Sequence, residues 1–358
     1  MAPFWQRPLP VPKEIRLDEE GSAQIDDYLA EQIEESGPGL ALAVVESGEV
    51  VHAAGYGLAD LRNGRPVAPD TIFHLASCGK QFTGLGILML AEAGKLHLDD
   101  AIGQHLAPLA QYGPQVTIRR LLHHTAGIRD FYDDASYDKV VERFGRPTNV
   151  DVIRLCSELG CPLAEKGIGP GEKFVYSNSG YDMLGALIEQ VSGETYHDFF
   201  QRRVFDPLGM KDTFSVPDRR VNDSRRAIGY GLDEEDGFVE DSGNEFDGLV
   251  GSGSFYTTIG DLCIYDRALT ANRLVGAASM RQMFTSGRTN DGSRTDYGFG
   301  WRFGDYQGMP FAEHDGAWIG FRSYMCRYLE RPLSIFALSN HPEIDFAELA
   351  NVVTDTYG

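Results

Sequence analysis

"GLALAVVESGEVVHAAGYGLADL", residues 39–61, is the stretch on which the fold turns. Two apolar runs flank Ser47-Gly48, a dipeptide suited to a tight hairpin turn, so the stretch reads as two antiparallel strands. Working outward, residues 22–36 carry helical periodicity ahead of the hairpin. Behind it helical pattern dominates, at 77–94, 117–124, 149–159, 178–192, 195–206, 258–270 and 277–286. Period-two pattern then returns around 297–305, 309–314, 320–329 and 332–339, and a helix over 344–356 follows. Two strands near the start and four near the end imply one antiparallel sheet assembled from both termini, with a helical lobe inserted between them. The expected fold class is therefore α+β. Its parts are an N-terminal extension (1–20), a sheet lobe (21–62 plus 250–358) and a mostly helical lobe (63–249), with an active site in the cleft between the lobes.

Composition bounds the function. The 358 residues allow two lobes and a sizeable core. A formal net charge of −21 argues against nucleic acid or an anionic membrane surface as partner, because phosphates are repelled. The chain has no apolar run long enough to span a membrane. Five scattered cysteines (Cys78, Cys156, Cys161, Cys263 and Cys326) form no disulfide framework and no metal spacing, so free thiols are expected. Residues 1–20 hold prolines and charges where a signal peptide needs an uninterrupted apolar segment. The expected location is cytoplasmic as written, and periplasmic or secreted if a leader was removed.

The chemistry starts at "FHLASCGKQFTGLGILML", residues 73–90, where Ser77 and Lys80 interrupt an apolar helical face. Residues i and i+3 share a face, which brings the hydroxyl within reach of the amine. A serine attacks only when something accepts its proton, and a lysine accepts only when burial lowers its pKa. Phe73, Leu75, Phe82, Leu85 and Leu88 can supply that burial, and the N–H groups at a helix start favour developing negative charge. On these residues alone, an N-cap serine and a snorkelling surface lysine are the more ordinary reading. Gly79 between them is an oddity, since glycine in a helix costs up to about 1 kcal/mol.

Two further stretches add to the pair. "GPGEKFVYSNSGYDMLGALIEQVSG" sets Tyr176 and Asn178 just before an amphipathic helix: a phenol held partly ionised by a lysine can move protons, and an amide can fix a substrate carbonyl or N–H. "FAEHDGAWIGFRSYM" sets His314, Asp315 and Gly316 at a strand edge, where the Ala317 N–H can face an oxyanion and His314 can donate to substrate or to Tyr176. Alone, Tyr176 also reads as a core aromatic, Asn178 as a helix cap and His314 as a structural histidine. Adjacent His123 and His124, with Asp130, Asp133 and Asp134 nearby, point about 100° apart on a helix and read as structural, not as metal ligands.

Taken together, S-x-x-K at Ser77 and Lys80, Y-x-N at Tyr176 and Asn178, and H-x-G at His314 and Gly316 resemble the serine β-lactamase and penicillin-binding protein superfamily. "LLHHTAGIRDF", "FDPLGMKDT", "GSGSFYTTIGDLCIY" and "YGFGW" are similar to recurrent segments of it, so the resemblance spans about Gly39 to His341. It implies a β-lactamase/transpeptidase-like fold and a cofactor-independent, metal-free acyl-enzyme mechanism. Ser77 would attack, Lys80 and Tyr176 would move protons, and the Ser77 and Ala317 N–H groups would hold the oxyanion. His314 stands where a lysine is usual and Asp315 where a threonine is, which resembles D-aminopeptidases, D-amino acid amidases, DD-carboxypeptidases and esterases of the superfamily. Asp315, and the acidic loop 232–248, can attract a substrate ammonium, although a solvated connection describes that loop as well. The expected activity is a serine hydrolase of small amides, peptides or esters, D-amino acid types favoured. A carboxylesterase, a weak β-lactamase and a sensor that acylates without turnover are the alternatives. Oligomeric state is not legible.

Overall fold

Seven strands pair in the order Ile15–Arg16, Glu49–Tyr56, Leu40–Glu46, Leu333–Ser339, Phe321–Tyr328, Met309–Trp318 and Arg302–Tyr306. Every pairing is antiparallel. The computed structural model describes residues 14–16, 19–132, 134–159, 168–215, 222–235, 237–243 and 248–357. Most of the N-terminal extension (1–13 and 17–18), Asp133, Cys161 and positions 236 and 244–247 of the acidic loop lie outside the described residues.

The opening hairpin forms as its sequence implies. Ser47 and Gly48 take φ of 50° and 80°, and two positive φ values define the turn whose twist matches that of paired strands. Leu40–Glu46 then pairs with Leu333–Ser339, which joins the N-terminal hairpin to the C-terminal meander. The run is apolar from Leu40 to Val45 because both faces are covered. Leu40, Leu42 and Val44 pack with Ile25, Leu29, Leu349 and Val353 of the helices Glu19–Gln32 and Phe346–Tyr357. Ala41, Ala43 and Val45 face the other way, into a cluster that runs on through Phe82, Leu121, Leu184 and Phe199 of the helical segment. One face of the sheet thus packs with the terminal helices and the other shares a core with the inserted helices.

The structure departs from expectation at several places: the strand expected over 297–305 begins only at Arg302, and the acidic loop expected over 232–248 holds part of a hairpin, Tyr230–Asp233 paired with Gly237–Glu240. The helix expected from residue 77 begins at Lys80, after a 3₁₀ turn over Ala76–Gly79. The helix expected over 195–206 is broken by a π turn at Gln201–Phe205, next to Pro207, which has no N–H to continue the ladder. A helix at Asp134–Phe144 was not anticipated. The strand expected to end at His314 continues to Trp318, because it pairs with Phe321–Tyr328 from Phe311 up to a turn at Ile319 with φ of 44°.

Candidate active site

Ala76 opens the site in the left-handed region, with φ of 47°, a conformation uncommon for a residue with a Cβ. Its N–H donates to His74 Nδ1 at 3.1 Å, which fixes the turn. The 3₁₀ turn that follows has three residues per turn, so positions i and i+3 eclipse. That geometry places Lys80 Nζ 3.0 Å from Ser77 Oγ. Gly79 is explained by the chain that backs onto it: a Cβ there would lie 3.2 Å from Gly253 Cα, and one on Gly253 would lie 2.5 Å from the Ala76 carbonyl. The two glycines let residues 252–254 press against the nucleophile turn.

Lys80 is fully buried, and three acceptors surround its ammonium. They are Ser77 Oγ at 3.0 Å, Asn178 Oδ1 at 2.7 Å and the Ser252 carbonyl at 2.7 Å. Two of these only accept, so a neutral amine spends both of its hydrogens on Asn178 and Ser252 and turns its lone pair to Ser77. Burial lowers the Lys80 pKa to about 7, opposed by Asp182 and Asp130, so the neutral form is accessible near neutral pH. Burial likewise raises Asp182, which accepts from Tyr132 Oη at 3.0 Å and from the Ser252 N–H at 3.3 Å.

Asn178 is oriented from behind. Its Nδ2 donates to Asp130 Oδ2 at 3.0 Å, while Asp130 Oδ1 accepts from the N–H and hydroxyl of Ser179, both at 3.2 Å. The amide oxygen is thereby turned toward Lys80. Tyr176 lies beside the pair, its ring centroid 4.9 Å from Lys80 Nζ. Burial pushes the phenol well above its ordinary pKa, outweighing Ser77 and Arg302, so Tyr176 is a neutral phenol at rest rather than a partly ionised one. His124 grips the chain on both sides of it: its carbonyl accepts from the Val175 N–H at 2.8 Å and its Nδ1 from the Ser177 N–H at 3.1 Å. The His124 ring also lies 4.3 Å from the Tyr176 ring, and its φ is 55°.

His314 is wholly buried, and both its nitrogens are engaged. A carbonyl only accepts, so Nδ1–H donates to the Asp315 carbonyl at 2.5 Å, and Nε2 of the neutral ring accepts from Tyr297 Oη at 2.9 Å. Burial, with Lys80 and Arg302 nearby, lowers its pKa to about 3. His314 Nε2 is thus held by Tyr297, and its ring lies 6.2 Å between centroids from Tyr176. Asp315 is half-exposed and paired with Arg302. It lines an outer cleft with Glu313, Tyr324 and His341, not the cleft of Ser77. Gly316 packs on the nucleophile turn, where a Cβ would meet Ser323 Oγ at 2.3 Å and the Leu75 carbonyl at 2.8 Å. Ala317 lines the same cleft as Ser77 and Asn178.

Ser77, Lys80, Tyr176 and Asn178 are thus brought together, with Gly316 and Ala317 alongside. Asp130, Asp182, His124, Ser252, Tyr132, Tyr297 and Arg302 join them without having been singled out for these roles. Asp130, His124 and Tyr297 do fall in segments that carry the family resemblance. His123 donates from Nδ1 to the Tyr297 carbonyl at 2.9 Å. Cys78 is buried, with Sγ 2.9 Å from the His314 carbonyl. Among the described residues, no cluster of three or more His, Cys, Asp or Glu has metal-holding geometry, and no helix is long and apolar enough to cross a membrane.

Known proteins share this arrangement's framework. Penicillin-binding protein 4* of Bacillus subtilis (strain 168) is 32% identical over 321 residues, covering 83% of this chain and 67% of that protein. A D-aminopeptidase of Brucella anthropi is 28% identical over 304 residues, covering 85% of this chain and 56% of that protein, so the chain spans little more than half its length. The structure of D-amino acid amidase from Ochrobactrum anthropi SV3 complexed with L-phenylalanine amide superposes with a TM-score of 0.76 at 25% identity, covering 95% of this chain and 98% of that one. The family model described as Beta-lactamase matches residues 25–355. This chain belongs to the beta-lactamase family.

Proposed function

We propose that the protein is a serine hydrolase that cleaves small amides, peptides or esters through an acyl-enzyme, with D-amino acid amides and peptides favoured. The observation that carries this reading is the 3.0 Å contact of Ser77 Oγ with a buried Lys80 whose other two partners can only accept. Neutral Lys80 takes the Ser77 proton as Oγ attacks the carbonyl carbon. The oxyanion forms against the N–H groups of Ser77 and Ala317. Neutral Tyr176 holds a transferable proton beside Ser77, gives it to the departing amine or alcohol and regains one from the Lys80 ammonium beside it. Water then cleaves the ester and restores Ser77. The D-amino acid preference rests on the named D-aminopeptidase and D-amino acid amidase relatives.

The test is turnover of a chromogenic ester, a D-alanine anilide and a chromogenic cephalosporin by wild type and Ser77→Ala. Loss of roughly 10³-fold or more on the preferred substrate is expected, and equal rates for the two proteins would sink the serine mechanism. A permanent adduct on Ser77 without product release would favour the sensor.

A further inference from the structure

A second carboxylate besides Asp130 reaches Lys80. Asp182 stands one turn after Asn178 on the helix Asn178–Ser192 and is fully buried. A carboxylate at that depth needs charge or hydrogen-bond partners, and those of Asp182 converge on one residue. Its Oδ1 accepts from the Ser252 N–H at 3.3 Å and its Oδ2 from Tyr132 Oη at 3.0 Å. Tyr132 Oη in turn lies 3.3 Å from Ser252 Oγ. The carbonyl of Ser252 accepts from Lys80 Nζ at 2.7 Å. Asp182 therefore holds the N–H of the residue whose carbonyl holds the lysine.

The backbone before Ser252 is stitched to the same helix. Asn149 Nδ2 donates to the Asp182 carbonyl at 2.7 Å and to the Val250 carbonyl at 2.6 Å, and a Cβ on Gly251 would lie 2.2 Å from the Tyr181 carbonyl. Charge adds to position. The groups facing Asp182 are Lys80, Asp130, Tyr132 and Tyr196. Those facing Lys80 further include Cys78, Tyr176, Tyr181, His124, His314 and Arg302. Of the two carboxylates, Asp182 opposes the burial that drives the proton off Lys80 more than Asp130 does.

We propose that Asp182 is a positioning residue that acts on the reaction through Lys80: it fixes the Ser252 carbonyl that aims the amine at Ser77, and its charge sets the pH at which that amine becomes a base. This rests on the reading of Ser77 as nucleophile and Lys80 as its base. As Ser77 Oγ attacks, its proton passes to Lys80 Nζ, and the carboxylate stabilises the ammonium so formed. Asp182 itself neither gains nor loses a proton in that step.

Phosphonylation of Ser77 by a fluorophosphonate probe isolates the step, because the Oγ–P bond forms as P–F breaks and fluoride departs without needing a proton. Labelling rates are followed by mass spectrometry from pH 5 to 9 for wild type, Asp182→Asn, Tyr132→Phe and Ser77→Ala. The asparagine keeps the shape: its amide oxygen accepts the Ser252 N–H and its Nδ2 donates to Tyr132 Oη, whose proton turns to Ser252 Oγ. Only the charge is lost, so the midpoint of the rate profile is expected to fall from about 7 by about one pH unit or more. Tyr132→Phe keeps the carboxylate but removes one of its donors, which raises the carboxyl pKa and moves the midpoint the same way by less. An Asp182→Asn midpoint that stays at the wild-type value or rises would overturn the proposal, as would a uniform loss of rate at every pH, the mark of a merely structural role. Should Asp182→Asn not fold, Tyr132→Phe decides alone: a lowered midpoint supports the proposal and an unmoved one overturns it. Ser77→Ala labelled at the wild-type rate would sink the serine mechanism itself, whereas labelling that needs Ser77 with an unmoved midpoint removes only the role of Asp182.

Discussion

Lys80 owes its role to what surrounds it. A lysine in water holds its proton to about pH 10.4, and this one is lowered to about 7 by burial against the opposing pull of Asp182 and Asp130. Replacing it with an apolar residue of similar length removes the proton acceptor and also leaves Asn178 Oδ1, the Ser252 carbonyl and Asp182 without their partner. Lys80→Met is expected to lower the acylation rate roughly 10³-fold or more, together with a lowered melting temperature. Acylation at the wild-type rate in a folded Lys80→Met protein would contradict that. At this scale Ser77, Lys80, Tyr176 and Asn178 were legible because they sit in short motifs. The groups that tune them were not, because they come from elsewhere in the chain: Asp130 reaches Asn178 across 48 positions, and His124 reaches Ser177 across 53. Asp315, legible as a candidate for ammonium recognition, is found paired with Arg302, and no local pattern foretells a partner on a neighbouring strand.

Elements meet at the site through close approaches that side chains would obstruct. Strand Met309–Trp318 lies against the nucleophile turn only because position 316 has no Cβ. Gly316→Ala is expected to cost about 1–3 kcal/mol by overpacking and to lower kcat more than it raises KM, since it moves Ala317 relative to Ser77. Denaturant unfolding and steady-state kinetics on the same preparation check both. The segment bearing Tyr176 is held by His124, whose positive φ and Nδ1 acceptor an asparagine can reproduce. His124→Asn should stay within about threefold of wild-type kcat, whereas His124→Leu should lose roughly 10- to 100-fold, the cost of a misplacement near 1 Å. Equal losses in both variants would assign His124 a packing role only. Most element positions were legible from period and composition. The 3₁₀ start at Ala76–Gly79 was not, because it depends on the Ala76 N–H finding His74 Nδ1, a contact that helical periodicity does not encode.

At the scale of the whole molecule, the antiparallel sheet was legible because its strands are apolar on alternate or on all positions, and the two core clusters account for which. The acidic loop was not, and its positions 236 and 244–247 lie outside the described residues. Buried histidines set the acid limit of stability. Burial lowers His52 and His123 to about 4 and His74 and His314 to about 3. The unfolded chain protonates its histidines near pH 6.5, so between that pH and about 3 it binds more protons than the folded one. Stability is therefore expected to fall as pH drops below about 6.5, by roughly 1.4 kcal/mol per histidine for each further unit until the folded pKa is reached, offset in part by Asp182 and Asp261, whose carboxyls burial raises to about 7 and about 6. A melting temperature that is level from pH 7 to 4 would contradict it. The central claim, that Ser77 is the nucleophile and a neutral Lys80 its base, is tested most directly by rapid-quench mass spectrometry of the acylated protein from pH 5 to 9. The account predicts an adduct mapped to Ser77 that forms faster as pH rises through about 7, and an adduct on another residue, or a rate flat across that range, would contradict it.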